Sequence, residues 1–217
     1  MSIINSSKGQ SPDNLKLTQC KDLLPALVPS LTLIFNTSIK TNTFPYLWKF
    51  GYIIPLNKVS QPKSLNDTRP ITNLSHISKA FDKILTSQII QYLESHNLID
   101  NYQFGFRHSH STQTALLYLL EHIRTALDNK QVVILMLFDF SKAFDSLDHR
   151  ILLLRLRQIG FSDPTLAWVY SYLSGRQQAV IDPDGNPSDY MGTTSGIPQG
   201  SNLGPIMFLI YINSIVN

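Results

Sequence analysis

The chain has 217 residues, 43% of them hydrophobic, and 18 Lys and Arg against 15 Asp and Glu leave a net charge of +3. That composition fills a globular core and excludes a disordered or fibrous chain. The single cysteine, Cys20, excludes an intramolecular disulfide and an all-cysteine metal site, so no disulfide partner is expected. One thiol fits an intracellular protein, nucleus and cytoplasm not being distinguished.

The opening MSIINSSKGQSPDN is too polar for a signal peptide. The longest unbroken apolar runs, VVILMLF and IMFLIYI, fall short of the roughly 20 residues of a membrane span, so a soluble protein with no membrane partner is expected. LLPALVPSLTLIFNTSIKTNTFP spaces its apolar residues like a buried helix that ends near the Asn/Thr cluster before Pro45. YIIPLNK and ITNL, separated by the polar VSQPKSLNDTRP, predict two strands joined by a basic loop. From His76 to His96 the pattern is an amphipathic helix, and Thr112 to about Asp128 predicts another, opened by small hydroxyl residues suited to capping.

QVVILMLF, residues 131–138, is an apolar run bounded by polar neighbours and predicts a fully buried strand with Asp139 at its C-terminal end. HRILLLRLRQI predicts a helix stopping at Gly160, and the next helix runs from Pro164 to Leu173 behind Asp163 as its cap. RQQAVIDPDGNPSDYMGTT predicts a hairpin turning at PDGNP; GIPQGSNLGP is a loop, and Pro205 opens a last apolar helix to about Ile215. The fold class that results is mixed α/β (α+β), helix-rich, with a small antiparallel sheet.

Charge is unevenly spread. Lys49, Lys58, Lys63, Arg69, Lys79 and Lys83 face only Asp67 and Asp82 between residues 49 and 83, a local surplus of +4, which reads either as a phosphate-facing surface or as a solvated face. An Asp ending a buried strand is likewise either a cap or a ligand of a hard divalent cation, which takes oxygen donors from one or two carboxylates plus substrate phosphates.

The strings WKFGYIIPLNK, TRPI, QFGFRHSHST, FDFSKAFD and GIPQGSNLGPIMFLIYIN, in that order, resemble the reverse transcriptases of non-LTR (LINE-like) retrotransposons, particularly the jockey-like group of animals, from about residue 6 to residue 217. The resemblance implies the fingers and part of the palm of a right-hand polymerase, with no thumb: one incomplete domain over 1–217, in which 1–130 is mainly fingers and palm helices and 131–217 is partial palm with interleaved fingers helices. It implies an RNA template, a DNA primer and deoxynucleoside triphosphates as partners, with Mg²⁺ (or Mn²⁺) as cofactor. Oligomeric state is left open.

By the resemblance, Asp139 is a catalytic aspartate and metal ligand, with the carbonyl of Phe140 as a further ligand. Phe144 falls where a ring packs on the sugar of the incoming nucleotide. Gly196, Gln199 and Gly200 form the loop beneath the templating base pair, Gly196 on the template side and Gln199 and Gly200 on the nucleotide side. Lys58 and Arg69 lie over the triphosphate, and Arg107 contacts template or backbone. Asp145 and Asp148 read as helix-start carboxylates favoured by the dipole. Thr68 stands where the family often has Tyr, and His108 and His110 stand where it has basic residues; an H-x-H pair is first a nucleic-acid-facing loop and only distantly a zinc site. Asn213-Ser214 replaces a frequent Asn-Asp.

Two-metal nucleotidyl transfer needs carboxylates from more than one segment. The family's aromatic-Ala-Asp-Asp hairpin has no counterpart here, since no Asp-Asp pair occurs and no acid follows Asp189. The expectation is a domain truncated before its second aspartate motif, inactive alone, with exposed apolar surface. The alternative is a nucleic-acid-binding remnant without catalysis.

Overall fold

The structure, a computed structural model, describes residues 11–213. Helix α1 spans Leu17–Lys40, a 3₁₀ turn covers Tyr46–Lys49, and strand β1 follows at Phe50–Asn57. A second 3₁₀ turn, Leu65–Asp67, leads into β2, Thr68–Asn73. Then come α2 (His76–Ser95), α3 (Thr112–Asp128), α4 (His149–Gln158), α5 (Asp163–Leu173), β3 (Gln177–Val180), β4 (Met191–Gly192) and α6 (Leu203–Ile212).

The strand pair around the basic loop forms as the alternation predicts: β1 and β2 run antiparallel, with Tyr52 opposite Asn73 and Leu56 opposite Arg69. Asp67 closes the loop between them, its carboxylate accepting the N–H groups of Lys63 and Ser64 at 2.9 Å each. The predicted second hairpin is present as β3 and β4, continued by a bridge between Ile181 and Pro187 around the turn. The sheet order is β2-β1-β3-β4, and β3 pairs with β1 in parallel, Phe50 opposite Gln177. The sheet is therefore mixed rather than antiparallel. A parallel contact between strands this far apart in sequence leaves no local signature.

The core is built on α6, whose Leu203, Ile206, Met207, Phe208, Leu209 and Ile210 are all buried. Leu152 and Leu156 of α4, Trp168, Tyr172 and Leu173 of α5, and Phe81 and Leu93 of α2 pack around it. Phe44, Phe81, Trp168 and Tyr172 form an aromatic knot, with the Phe44 ring edge-on to Tyr172 at 4.9 Å. Edge-to-face pairs of this kind add about 0.5–1.5 kcal/mol each beyond area burial.

Helix boundaries depart from expectation in instructive ways. Ser162, not Asp163, is the N-cap of α5, so Asp163 and Pro164 occupy its first turn. Helix α6 begins two residues before Pro205, and its expected end at Ile215 lies outside the described residues. Gly160 follows α4 at φ +95, a conformation that ends the helix cheaply only with glycine. Ser111 caps α3 by accepting the N–H of Thr114 at 3.1 Å.

Two expectations about burial are overturned. Helix α1 forms and stops at Lys40, but it is not buried: Leu23, Leu33 and Ile39 are exposed, and it docks through Phe35, stacked on Phe81 at 4.4 Å, and Ser38. Its polar Thr, Asn and Ser residues break the unbroken apolar runs, yet among the described residues Thr18–Lys40 is long and apolar enough, by length and composition, to cross a membrane. Residues 131–140 are not a strand. They have no regular secondary structure and are exposed throughout, with Val132, Leu137 and Phe138 at 90%, 85% and 87% exposure. A strand exists only through hydrogen bonds to a neighbour, and none of the four strands lies alongside. The expected exposed apolar surface is thus present, and α3, which buries no residue, adds to it.

Candidate functional site

The loop that precedes α6 is tied by backbone hydrogen bonds to two other parts of the chain. Gly196 N–H donates to Leu147 O at 2.9 Å, Ile197 N–H to Phe144 O at 2.9 Å, and Thr72 N–H to Gln199 O at 2.6 Å. The ring Nε2 of His149 lies 2.7 Å from Gly196 O. The GIPQG loop is thereby clamped between the end of β2 and the turn that follows FDFSKAF. Both glycines are required by this packing. A Cβ on Gly196 (φ +78) would meet the backbone of Phe144 and Asp145 at 2.8 Å, and one on Gly200 (φ +133) would collide with Thr72 O.

Beside this clamp opens a cavity of about 380 Å³ lined by Lys49, Thr72, Asp145, Arg176, Gly196 and Gln199, among others. Arg176 is buried, its Nε donating to Tyr172 O at 2.7 Å and its guanidinium stacked 4.3 Å from the Tyr172 ring centroid. Lys49 Nζ donates to Ser174 O at 3.1 Å; burial, then Arg176, holds its pKa below the usual lysine range. Part of the basic surplus of residues 49–83 is therefore engaged inside the fold. Lys79 likewise donates to Asn73 at 3.1 Å.

Of the residues singled out in the sequence, Phe144, Gly196, Gln199 and Gly200 are brought together here. Phe144 is half-buried, its ring 5.1 Å from Phe208 and 6.2 Å from Phe106. Lys58 and Arg69 sit at the loop end of the β1–β2 hairpin, both exposed and both outside the cavity lining. Lys58 Nζ donates to Asn66 O at 3.0 Å. Arg107 is half-buried and turned into its own loop, Nη1 donating to Asp100 O at 3.0 Å and Gln103 O at 3.4 Å. Asp139 and Phe140 lie on the exposed 131–140 segment, Phe140 edge-on to Phe208 at 6.2 Å. His110 faces His108 O at 2.9 Å, and neither histidine belongs to a ligand cluster.

The two helix-start carboxylates part company. Asp148 caps α4, accepting from Arg150 N–H at 2.8 Å and Ile151 N–H at 3.3 Å; its hydrogen bonds with Arg150 lead in holding its pKa below the usual carboxylate range. Asp145 caps nothing: it lies in the turn ahead, and Gln199 Nε2 donates to its Oδ1 at 3.2 Å. That pairing joins residues 54 apart and has no local sequence signal. Asn213, given little weight in the sequence, ties the end of α6 to the α2–α3 loop, accepting Asp100 N–H at 3.0 Å and donating to Leu98 O at 2.9 Å. Ser214 lies outside the described residues.

A divalent ion is a demanding test of this arrangement. Among the described residues no three His, Cys, Asp or Glu side chains come together, so Asp139 and the Phe140 carbonyl do not by themselves fit a two-ion site.

A helix-rich mixed α/β chain that locks a Gly-Ile-Pro-Gln-Gly loop onto the turn behind an Asp-bearing segment is of the class expected from the motifs. The family described as "Reverse transcriptase (RNA-dependent DNA polymerase)" matches residues 57–217, well over half of the chain, and the chain belongs to that family. It is 32% identical over 214 residues to a "Probable RNA-directed DNA polymerase from transposon X-element" of Drosophila melanogaster, covering 96% of this chain and 23% of that protein. It is 28% identical over 205 residues to the "Probable RNA-directed DNA polymerase from transposon BS" of the same fly, covering 94% and 22%. Against the "RNA-directed DNA polymerase from mobile element jockey" the identity is 28% over 186 residues, covering 85% and 20%. The chain spans less than a quarter of the length of these relatives.

Proposed function

We propose that this chain is the fingers and part of the palm of a non-LTR retrotransposon RNA-directed DNA polymerase, and that the 217 residues alone do not extend a primer. The reaction of the whole enzyme is template-directed attack of a primer 3′-hydroxyl on the α-phosphate of a deoxynucleoside triphosphate, which breaks the α–β phosphoanhydride bond and releases pyrophosphate, with Mg²⁺ as cofactor and Asp139 among its ligands. The observation that carries the reading is the family match over residues 57–217 together with the lock between the GIPQG loop and the FDFSKAF turn. In it Lys58 and Arg69 grip phosphate, Gln199 and Gly200 face the incoming nucleotide, Phe144 lies against its sugar, and Gly196 and Arg107 lie on the template side. The domain acts inside the cell on an RNA template and a DNA primer.

Inactivity of the isolated chain rests on the donor set. One aspartate on an exposed segment leaves the remaining carboxylates to be supplied from elsewhere. Primer extension on poly(A) with oligo(dT) and Mg²⁺ tests this. No synthesis is expected, and synthesis that disappears in Asp139→Ala would overturn it. A second reading, a nucleic-acid-binding remnant, is favoured by the exposure of Arg69 and Lys58 at the hairpin end.

A further inference from the structure

We propose that Asp145 is a positioning residue that fixes the side-chain amide of Gln199, so that the loop presents the amide oxygen to its ligand as a hydrogen-bond acceptor. This rests on the reading that the GIPQG loop faces the nucleotide or the template. Gln199 Nε2 donates to Asp145 Oδ1 at 3.2 Å, so the side-chain amide is turned with its NH₂ toward the carboxylate. A glutamine without such a neighbour turns its amide over freely; here the carboxylate removes that freedom. With Nε2 turned to the carboxylate, Oε1 is turned away from it, and a ligand group facing that oxygen must donate: a sugar hydroxyl or a base N–H.

The backbone around the pair is as constrained as the pair itself. Ser195 Oγ donates to Asp145 O at 3.3 Å, and Gly196 packs so closely on residues 144 and 145 that no Cβ is accommodated. Thr72 N–H holds the Gln199 carbonyl from the other side. Both side chains line the same cavity. Asp145 therefore stands where it sets the chemistry of the loop without itself having to touch the ligand.

The test uses the 217-residue chain in ¹⁵N-labelled form. The side-chain amide resonance of Gln199, identified by its loss in Gln199→Met, is expected to move toward that of a free glutamine in Asp145→Asn while the backbone amides of Gly196 and Ile197 stay in place. An unmoved resonance overturns the proposal, whatever the loop binds. Binding of a fluorescein-labelled poly(A)·oligo(dT) duplex with dTTP is then compared in both single variants and the double. Asp145→Asn is expected to weaken binding on the order of threefold to tenfold and to have no further effect once Gln199 is Met. Equal weakening in both backgrounds means that Asp145 acts directly and overturns positioning. If the resonance moves but Gln199→Met leaves binding unchanged, the reading of the loop fails and the positioning role falls with it.

Discussion

The backbone N–H of Thr72 donates to the carbonyl of Gln199 at 2.6 Å, and this contact joins the second strand to the loop ahead of α6. It exists because Gly200 brings its backbone against Thr72 at φ +133, where a side chain would both strain the chain and strike the Thr72 carbonyl. Gly200→Ala is expected to cost about 1–3 kcal/mol or more, read as a lower urea midpoint with an unchanged denaturant slope.

Asp82 is fully buried on α2, with Tyr172 OH donating to it at 3.2 Å. Burial pushes its pKa up to about 7, against the opposing pull of Arg176, the Tyr172 hydrogen bond and Lys79. The folded protein thus holds this proton to higher pH than the unfolded chain, whose carboxyls titrate near ~4. The stability it contributes is full below that value and is lost as pH rises toward about 7. Urea midpoints across this range, wild type minus Asp82→Asn, are expected to fall with pH and then level; a flat difference would refute the assignment.

Ser38 fastens α1 to the core, accepting from Trp168 Nε1 at 3.0 Å and donating to Thr43 O at 2.7 Å. Ser38→Ala leaves a buried indole N–H and a carbonyl without their partner. The expected loss is about 1–3 kcal/mol in chemical denaturation.

Arg69 is exposed at the loop end of the hairpin, as is Lys58. RNA binding by the chain is expected to weaken steeply with salt, and Arg69→Ala is expected to reduce the slope of log K against log salt by about 1. Fluorescence anisotropy at several salt concentrations checks it, and binding that ignores salt would sink the nucleic-acid reading of this surface.

Residues 132–140 lie outside every strand and carry exposed apolar side chains, Ile134 at 81% and Met136 at 71% among them. Such a stretch invites pairing between chains. The isolated protein is expected to self-associate, and Ile134→Lys to reduce this in light scattering without lowering the thermal midpoint.

Much of the local architecture was legible. The β1–β2 pair, α2, α3 and the 177–192 hairpin carried their own periodicity and turn residues, and Ser111 and Asp148 announced helix starts. What failed depended on partners. Residues 131–138 have the composition of a buried strand, but composition cannot supply the neighbour that makes one. In α1 the apolar spacing is real, yet burial is decided by what packs on it: Phe35 and Ser38 meet the core and Cys20 is buried, while Leu23, Leu33 and Ile39 stay exposed. Asp145, which reads with Asp148 as a helix-start carboxylate, instead has its partner 54 residues away. The loop glycines, by contrast, were read from the motif itself and do lie where a Cβ has no room.

The parallel pairing of Phe50 with Gln177 sets an order of events for the chain as it is made. The first hairpin can form early, but its inner edge has to wait until more than half of the sequence has been synthesised and α4 and α5 have brought β3 alongside. Sheet closure is therefore a late, non-local step, and slow by the general dependence of folding rate on contact separation. Until then β1 presents one open edge to its surroundings, so a nascent chain of this protein is most vulnerable during the interval in which residues 74–176 emerge.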